Sequence, residues 1–359
     1  MAGGAGERFW PLSRKDRPKQ LLHLTSPDKS MLAEAVERLG GAVDPDRIYI
    51  ITGPHLVAPI RAAGVGIPDE NIVAEPAKRN TSGALAYITA HILAKHPDLS
   101  PEQVSLAVGT ADHRIKEPEL FTATVEAALL AAETEGALVV CGIVPTAPET
   151  GFGYIQVHDK TAPRMEGDIP AYTVKAFHEK PNREKAEDFI AQGDYFWNSG
   201  MFFWTAAAFL RELDAEQPEM AKTVREMTAA MREGSDAAKL FESLEDISID
   251  YALMEHAGNV LMVPGTFPWS DVGLWPALET VYPPDENGNC LKGDPVIFQS
   301  EGCIVYNEPG AEKVAVGVAG VEDLVVVVTE DAVLVVPKDR AQDVRHLVGS
   351  LKERKAKQV

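Results

Sequence analysis

Glycines at positions 3, 4 and 6, followed by Arg8 and Lys19, make Gly3–Gln20 (GGAGERFWPLSRKDRPKQ) the most informative segment of the chain. Glycine reaches positive φ without steric cost and lets backbone N–H groups approach an anion closely; with two cations added, the segment reads as a phosphate cradle. It is not a dinucleotide fingerprint, because from Gly4 the spelling is G-A-G-E-R-F with Phe9 at the third glycine position, and the GxxxxGK spelling of a P-loop is missing. Asp112, in TADH (Thr110–His113), follows the apolar run Val104–Gly109 and so stands at the carboxyl end of a strand, where open α/β sheets bind ligands. Taken alone, such an aspartate is as readily a loop or capping residue. A second acid, Asp271, lies far downstream in WSDVG (Trp269–Gly273).

These residues need a scaffold, and from about residue 45 to 265 short β-branched runs alternate with amphipathic stretches. That is the pattern of βαβ units and predicts a largely parallel sheet covered on both faces. The expected strands are Arg47–Thr52, Val104–Gly109, Ala137–Val144, Tyr172–Phe177 and Asn259–Val263. Leu85, Ile88 and Ile92 recur at helical spacing within Thr81–Lys95, and Leu120, Val125 and Leu129 do so in the next segment. Further helices are expected at Glu184–Gln192, Ala206–Glu216 and Ser248–His256, the last capped by its serine. The polar stretch PPDENGNCLKGD (Pro283–Asp294) reads as a linker. Beyond it, Val314–Val318, Leu324–Val328 and Val333–Val336 predict a small β domain closed by a helix from roughly Arg340.

Composition bounds the function further. The 359 residues suggest two domains at roughly 100–200 residues each. The 54 acidic against 34 basic residues, a net charge of −20, disfavour nucleic acid or an anionic membrane as partner. Any polyanionic ligand must therefore meet a local cluster of Arg, Lys or metal. Cys141, Cys290 and Cys303 form no CxxC unit and cannot all pair, which suits a reducing cytoplasm. No apolar run approaches the ~18 residues of a membrane span, and MAGGAGERF is no basic-then-apolar signal.

The glycine loop with Arg8, WPLS (Trp10–Ser13) and PKQ (Pro18–Gln20) together resembles the signature of the sugar-nucleotide pyrophosphorylases, in their mannose-1-phosphate guanylyltransferase branch. Further segments agree in order: EPAKRNTSGA (Glu75–Ala84), TADH, ETGFGYIQV (Glu149–Val157, with Phe152 where the family more often has Tyr), FHEKPN (Phe177–Asn182), WNSGMFFW (Trp197–Trp204) and WSDVG. The resemblance implies a Rossmann-like three-layer α/β nucleotide-diphospho-sugar transferase domain over residues 1–283. A small β domain resembling a short left-handed β-helix would follow over 284–359.

The implied reaction is GTP plus mannose 1-phosphate giving GDP-mannose and pyrophosphate with Mg²⁺. Gly3, Gly4, Gly6, Arg8, Lys19, Glu75, Arg79, Asn80 and Thr81 would contact the nucleotide, while Gly153, Glu179, Lys180 and Asn198 would contact the sugar phosphate. Asp112 and Asp271 would hold the metal, since converging phosphates require neutralisation and hard oxygen ligands suit Mg²⁺. The catalytic set is Arg8, Lys19, Asp112 and Asp271. The cysteines receive no role, and His113 alone among the histidines is kept as a ligand-contacting candidate. Asp250 in SIDYALME resembles another family element but equally suits the first turn of a helix.

A sibling transferase for another nucleotide or hexose phosphate shares these parts, and a sugar-nucleotide-binding regulatory subunit would share the fold. The oligomeric state is open, a homodimer included. No phosphomannose isomerase activity is expected, since no cupin-like domain follows. In the resembled family a hydrophobic strand precedes the glycine loop, whereas here Met1 stands directly before Ala2-Gly3-Gly4. The expectation is a start roughly 6–10 residues upstream and weak stability without it, because a central strand carries such a loop.

Overall fold

The computed structural model describes every residue except Ala5. Strands β1 (Ile50–Thr52), β2 (Ile72–Ala74), β3 (Ser105–Val108), β4 (Arg114–Ile115), β5 (Leu138–Ile143), β6 (Tyr154–Val157), β7 (Tyr172–His178), β8 (Tyr195–Thr205), β9 (Val260–Gly265) and β10 (Trp269–Ser270) build the first part of the chain. Between them run helices α1 (Met31–Leu39), α2 (Pro54–Ala62), α3 (Asn80–Lys95), α4 (Pro118–Glu135), α5 (Arg183–Gln192), α6 (Ala206–Glu216), α7 (Pro218–Arg232) and α8 (Ala238–Glu242). The main sheet has the order β3-β8-β5-β9-β7-β6.

Side-chain alternation explains the three layers. Leu138 and Val140 of β5 and Phe202 and Trp204 of β8 join the core with α3, α6 and α7. Val139, Cys141, Met201 and Phe203 point to the opposite face, against α4 and α5. The strand β5 is buried along its whole length, as expected of a strand covered on both faces.

The sheet is not largely parallel. Among the described residues, only β5 and β9 run parallel within it, and the other pairs are antiparallel. The cause is β8, whose eleven residues pair with β3, β5 and β6, each antiparallel. Ser248–His256 also departs from a regular helix, forming a π-helical turn over Asp250–Met254. Its serine still accepts from the Tyr251 N–H at 3.4 Å.

A separate parallel pair, β1 with β2, lies beside this sheet. Ala2 donates its N–H to the Ile51 carbonyl at 3.0 Å, and the Met1 ammonium donates to the Gly109 carbonyl at 2.9 Å. The first two residues thus tie the pair to the carboxyl end of β3 and aim the glycine loop at that edge.

After residue 283, strands β11 (Cys290–Lys292), β12 (Val296–Phe298), β13 (Ile304–Asn307), β14 (Gly317–Ala319), β15 (Leu324–Val328) and β16 (Val333–Pro337) precede helix α9 (Val344–Glu353). Parallel pairing of β11, β13 and β15, and of β12 with β14, stacks successive rungs as in a β-helix, while β16 returns antiparallel. Alternate residues of β13 serve two cores: Val305 packs inside the rungs, whereas Ile304 and Tyr306 face the first domain.

That outward core is shared. Phe9, Trp10, Leu12, Leu22 and Leu24, from the segment continuing the glycine loop, pack with Trp275, Val325, Val327 and Val344. The Phe9 and Trp275 rings lie 5.0 Å apart and both are fully buried. Phe9→Ala should therefore destabilise the protein by about 3–5 kcal/mol in denaturant unfolding, as large-to-small core changes do. A loss below about 1 kcal/mol would show that the contact is not a shared core.

Candidate active site

Lys19 stands at the centre. It opens a short 3₁₀ turn, is 5% exposed, and donates from Nζ to Asp112 Oδ2 at 2.9 Å and to the Asp271 backbone carbonyl at 2.6 Å. Gly6 has φ of 61°, and a Cβ there would sit 2.5 Å from the Lys19 Cβ and 2.8 Å from its nitrogen. The loop can close on Lys19 only because residue 6 has no side chain.

The two acids are brought together by a two-residue antiparallel ribbon, in which Arg114 of β4 faces Ser270 of β10 and Ile115 faces Trp269. Trp269 Nε1 donates to His113 Nδ1 at 3.1 Å, pinning the Asp112 loop to the Asp271 strand. His113 is therefore a neutral ring with its proton on Nε2. Burial agrees, pushing its pKa down to about 4.

The acids differ electrostatically. Burial raises the pKa of Asp112, but Lys19, through its charge and its hydrogen bond, outweighs it and holds the carboxyl below its ordinary range. Asp271 moves the other way: burial dominates, Lys19 pulls back only in part, and its carboxyl lies above the usual range. Its Oδ1 accepts from the Gly273 N–H at 3.1 Å, while Lys19 takes its carbonyl rather than its carboxylate. Among the described residues there is no cluster of three or more potential metal ligands. A half-buried carboxylate short of positive charge beside a second carboxylate still fits a hard divalent cation whose remaining ligands come from phosphate and water.

Two cavities meet here. A cleft of about 920 Å³ is lined by Gly3, Gly4, Glu75, Asn80, Thr81 and Asp112, with Lys15, Lys78 and Lys352 adding charge. A pocket of about 270 Å³ is lined by Gly153, Glu179, Asn198, Asp250, Trp269 and Asp271. Thr81 and Thr110 border both, so one acid belongs to each cavity at their junction.

The remaining candidates fall into place unevenly. Asn80 adopts φ of 57° with its Oδ1 accepting from the Thr81 N–H at 2.9 Å, and Thr81 Oγ1 accepts from the Ile249 N–H at 2.8 Å. Arg79 lines neither cavity; its Nε and Nη2 donate to the Glu242 carbonyl at 3.2 and 2.5 Å, anchoring the end of α8. Arg8 is exposed and lines neither, though its charge reaches Asp271. Lys180 pairs with Glu179, has φ of 44°, and is 62% exposed along its side chain. A Cβ on Gly153 would come 2.7 Å from Glu179 Oε2, so that turn packs directly on the glutamate.

Asn198 owes its position to an irregularity in β8. Between the pairs Val140↔Phe202 and Gly142↔Asn198 the register shifts, and Gly200 takes φ of 70° in the bulge. Its N–H donates to Asn198 Oδ1 at 2.9 Å, and the Asn198 amide donates to Asp250 Oδ1 at 2.9 Å.

Comparison with known proteins gives the family. The nucleotidyl transferase family matches residues 1–287, and the MannoseP isomerase/GMP-like beta-helix domain matches residues 293–351. A mannose-1-phosphate guanylyltransferase of Klebsiella pneumoniae is 40% identical over 98% of this chain and 73% of its own length. One from Escherichia coli is 39% identical over the same shares. A crystal structure from Thermus thermophilus, named a mannose-1-phosphate geranyltransferase, superposes with a TM-score of 0.85 at 36% identity, covering 98% of both chains. The chain belongs to the mannose-1-phosphate guanylyltransferase family.

Membership in this guanylyltransferase family makes the chain a nucleotidyltransferase, with a nucleotidyltransferase domain followed by a β-helix-like one. Among the described residues no helix is long and apolar enough to cross a membrane. Sequence reading left the role of Asp250 undecided, yet it lines the pocket, and burial followed by repulsion from Glu179 raises its pKa. It also missed Thr110, whose buried hydroxyl has no partner among the described residues. Only its place beside Asp112 after a strand hinted at it.

Asp271 also yields a stability test. A carboxyl whose pKa is higher folded than unfolded works against folding when ionised, and stability returns as pH falls through the folded value. Asp271→Asn should thus melt above the wild type at neutral and higher pH, with the margin shrinking as the pH falls through the raised folded value of Asp271. A lower melting temperature for the variant at high pH would contradict a desolvated carboxylate.

Proposed function

We propose that this family member transfers the guanylyl group of GTP to mannose 1-phosphate, forming GDP-mannose and pyrophosphate. The observation that carries the reading is the junction of a large and a small cavity at Asp112 and Asp271, which the buried Lys19 holds together. The curated relatives, named mannose-1-phosphate guanylyltransferases, support the choice of substrates. A phosphate oxygen of the sugar phosphate attacks the α-phosphorus, the bond to the bridging oxygen of the β-phosphate breaks, and pyrophosphate leaves.

The chain's residues orient and neutralise. Backbone N–H groups at Gly3, Gly4 and Gly6 receive the triphosphate, with Arg8 and Lys19 as cations. Glu75, Asn80 and Thr81 line the nucleoside end, and Arg79 holds that turn through Glu242. Asp112 and Asp271 would hold Mg²⁺, which when bound neutralises the phosphate oxygens and makes the α-phosphorus more electrophilic. In the smaller pocket Glu179 and Asn198 meet sugar hydroxyls, Gly153 lets the backbone approach, and Lys180 swings onto the sugar phosphate as a point charge. No protein nucleophile is required.

A pyrophosphate-release assay over a small matrix of nucleotides and sugar phosphates tests the assignment, with GTP and mannose 1-phosphate expected to be turned over best. Preference for another pair would replace it with a sibling transferase. Asp112→Asn and Asp271→Asn should each lower turnover by about a hundredfold or more, equivalent to a charge contact of several kcal/mol. Near-native turnover of either variant with Mg²⁺ would remove that residue from the metal site. Lys180→Ala should raise KM for mannose 1-phosphate far more than for GTP. Equal losses for the two substrates would argue against this division of labour.

A further inference from the structure

Glu7 is out of character with its surroundings. It sits between Gly6 and Arg8 in a loop built to receive phosphates, it lines the large cleft beside Gly3 and Gly4, and its carboxylate repels any polyanion there. The counter-charge comes from the far end of the chain. Lys352, near the end of α9, pairs through Nζ with Glu7 Oε1 and also lines the cleft.

The helix that carries Lys352 is docked by packing, not by this pair. Val344 and Val348 are buried in the same cluster as Phe9 and Trp10, and Trp10 Nε1 donates to the Gln358 carbonyl at 2.7 Å. The Lys352 and Glu7 side chains are 55% and 40% exposed. An ion pair so open to solvent contributes little to folding. Its effect falls on the field inside the cleft, where a charge of either sign is focused by low-dielectric walls.

We propose that Lys352 is a positioning residue of the nucleotide site, contributed by the second domain: it neutralises Glu7 so that the glycine loop can accept the triphosphate. This rests on the reading of the large cleft as a nucleoside-triphosphate site. The other cations at this end do not substitute. Arg14 is paired with Asp331 at 2.9 Å, and Lys19 is engaged by Asp112 and Asp271. The free charges on the loop side are Arg8, which is exposed and lines neither cavity, and Lys15, which lines the cleft; among the described residues neither makes an ion pair with Glu7.

The test measures GTP binding to the full chain calorimetrically without sugar phosphate, and the KM of each substrate. Lys352→Met should weaken GTP binding about fivefold or more near 0.05 M salt, with the loss fading near 0.5 M as screening sets in. KM should rise for GTP and not for mannose 1-phosphate. Adding Glu7→Gln to Lys352→Met should restore GTP affinity to within about twofold of wild type, because the repelling charge is then gone. Unchanged affinity in Lys352→Met, or a loss that Glu7→Gln does not rescue, would overturn the proposal. If the wild type binds a triphosphate other than GTP, the substrate reading fails instead, and the same three proteins titrated with that triphosphate decide the role of Lys352.

Discussion

A buried ammonium needs anionic company, and the site is organised around that requirement at Lys19. Removing a charge from water costs far more than a protein can absorb unless neighbouring groups compensate. Here one carboxylate and one carbonyl, from residues separated by the bulk of the first domain, converge on a single nitrogen. For that to happen the loop must turn back at Gly6, the β4–β10 ribbon must hold two distant segments in register, and the following aromatic residues must be clamped. The clamp is the second domain. Phe9 against Trp275 ties the residue after the cradle to the layer on which the β-helix-like rungs pack, so the glycine loop belongs structurally to both halves.

The same constraint divides the labour of the two acids. Asp112 is satisfied by Lys19 and stays ionised readily, while the Asp271 carboxylate, at the neighbouring cavity, accepts only from the Gly273 N–H and has no cation paired with it. A symmetric pair would compete for the lysine and leave no affinity for another cation. The asymmetry arises because Lys19 takes the backbone of one acid and the side chain of the other. Such local stress is tolerated because the surroundings are over-determined, by the Trp269–His113 hydrogen bond and by the fully buried Val272 beside Asp271.

Much of this was legible in the sequence because β-branched runs and helical spacing are local signals. The strand at Leu138–Ile143 and the helix Ala206–Glu216 lie close to or at their expected limits. Strand direction was not legible. Nothing within YFWNSGMFFWT states that it enters the sheet antiparallel between two other strands, because pairing partners are set by distant segments. The bulge that turns Asn198 into the pocket could be suspected from Gly200, but its register shift could not. Two-residue strands such as Arg114–Ile115 carry no periodicity at all, so the ribbon joining Asp112 to Asp271 was visible only as two separate motifs. Arg79 shows the converse, a motif residue whose side chain is committed to α8 rather than to the cleft.

Net charge sharpens the meaning of the cations that remain. A chain at −20 repels polyanions on average, so a polyanionic ligand enters only where positive charge is gathered locally. Lys15, Lys78 and Lys352 on the rim of the large cleft come from three separate stretches of sequence; the first two lie inside motifs without standing out there, and Lys352 lies outside all of them. With Lys19 already engaged by Asp112, these rim charges would set how strongly a triphosphate is drawn in, whereas the half-buried carboxylates would set how its reaction is assisted. On this proposal capture and chemistry would depend on different residues, with the second domain, through α9, contributing to capture.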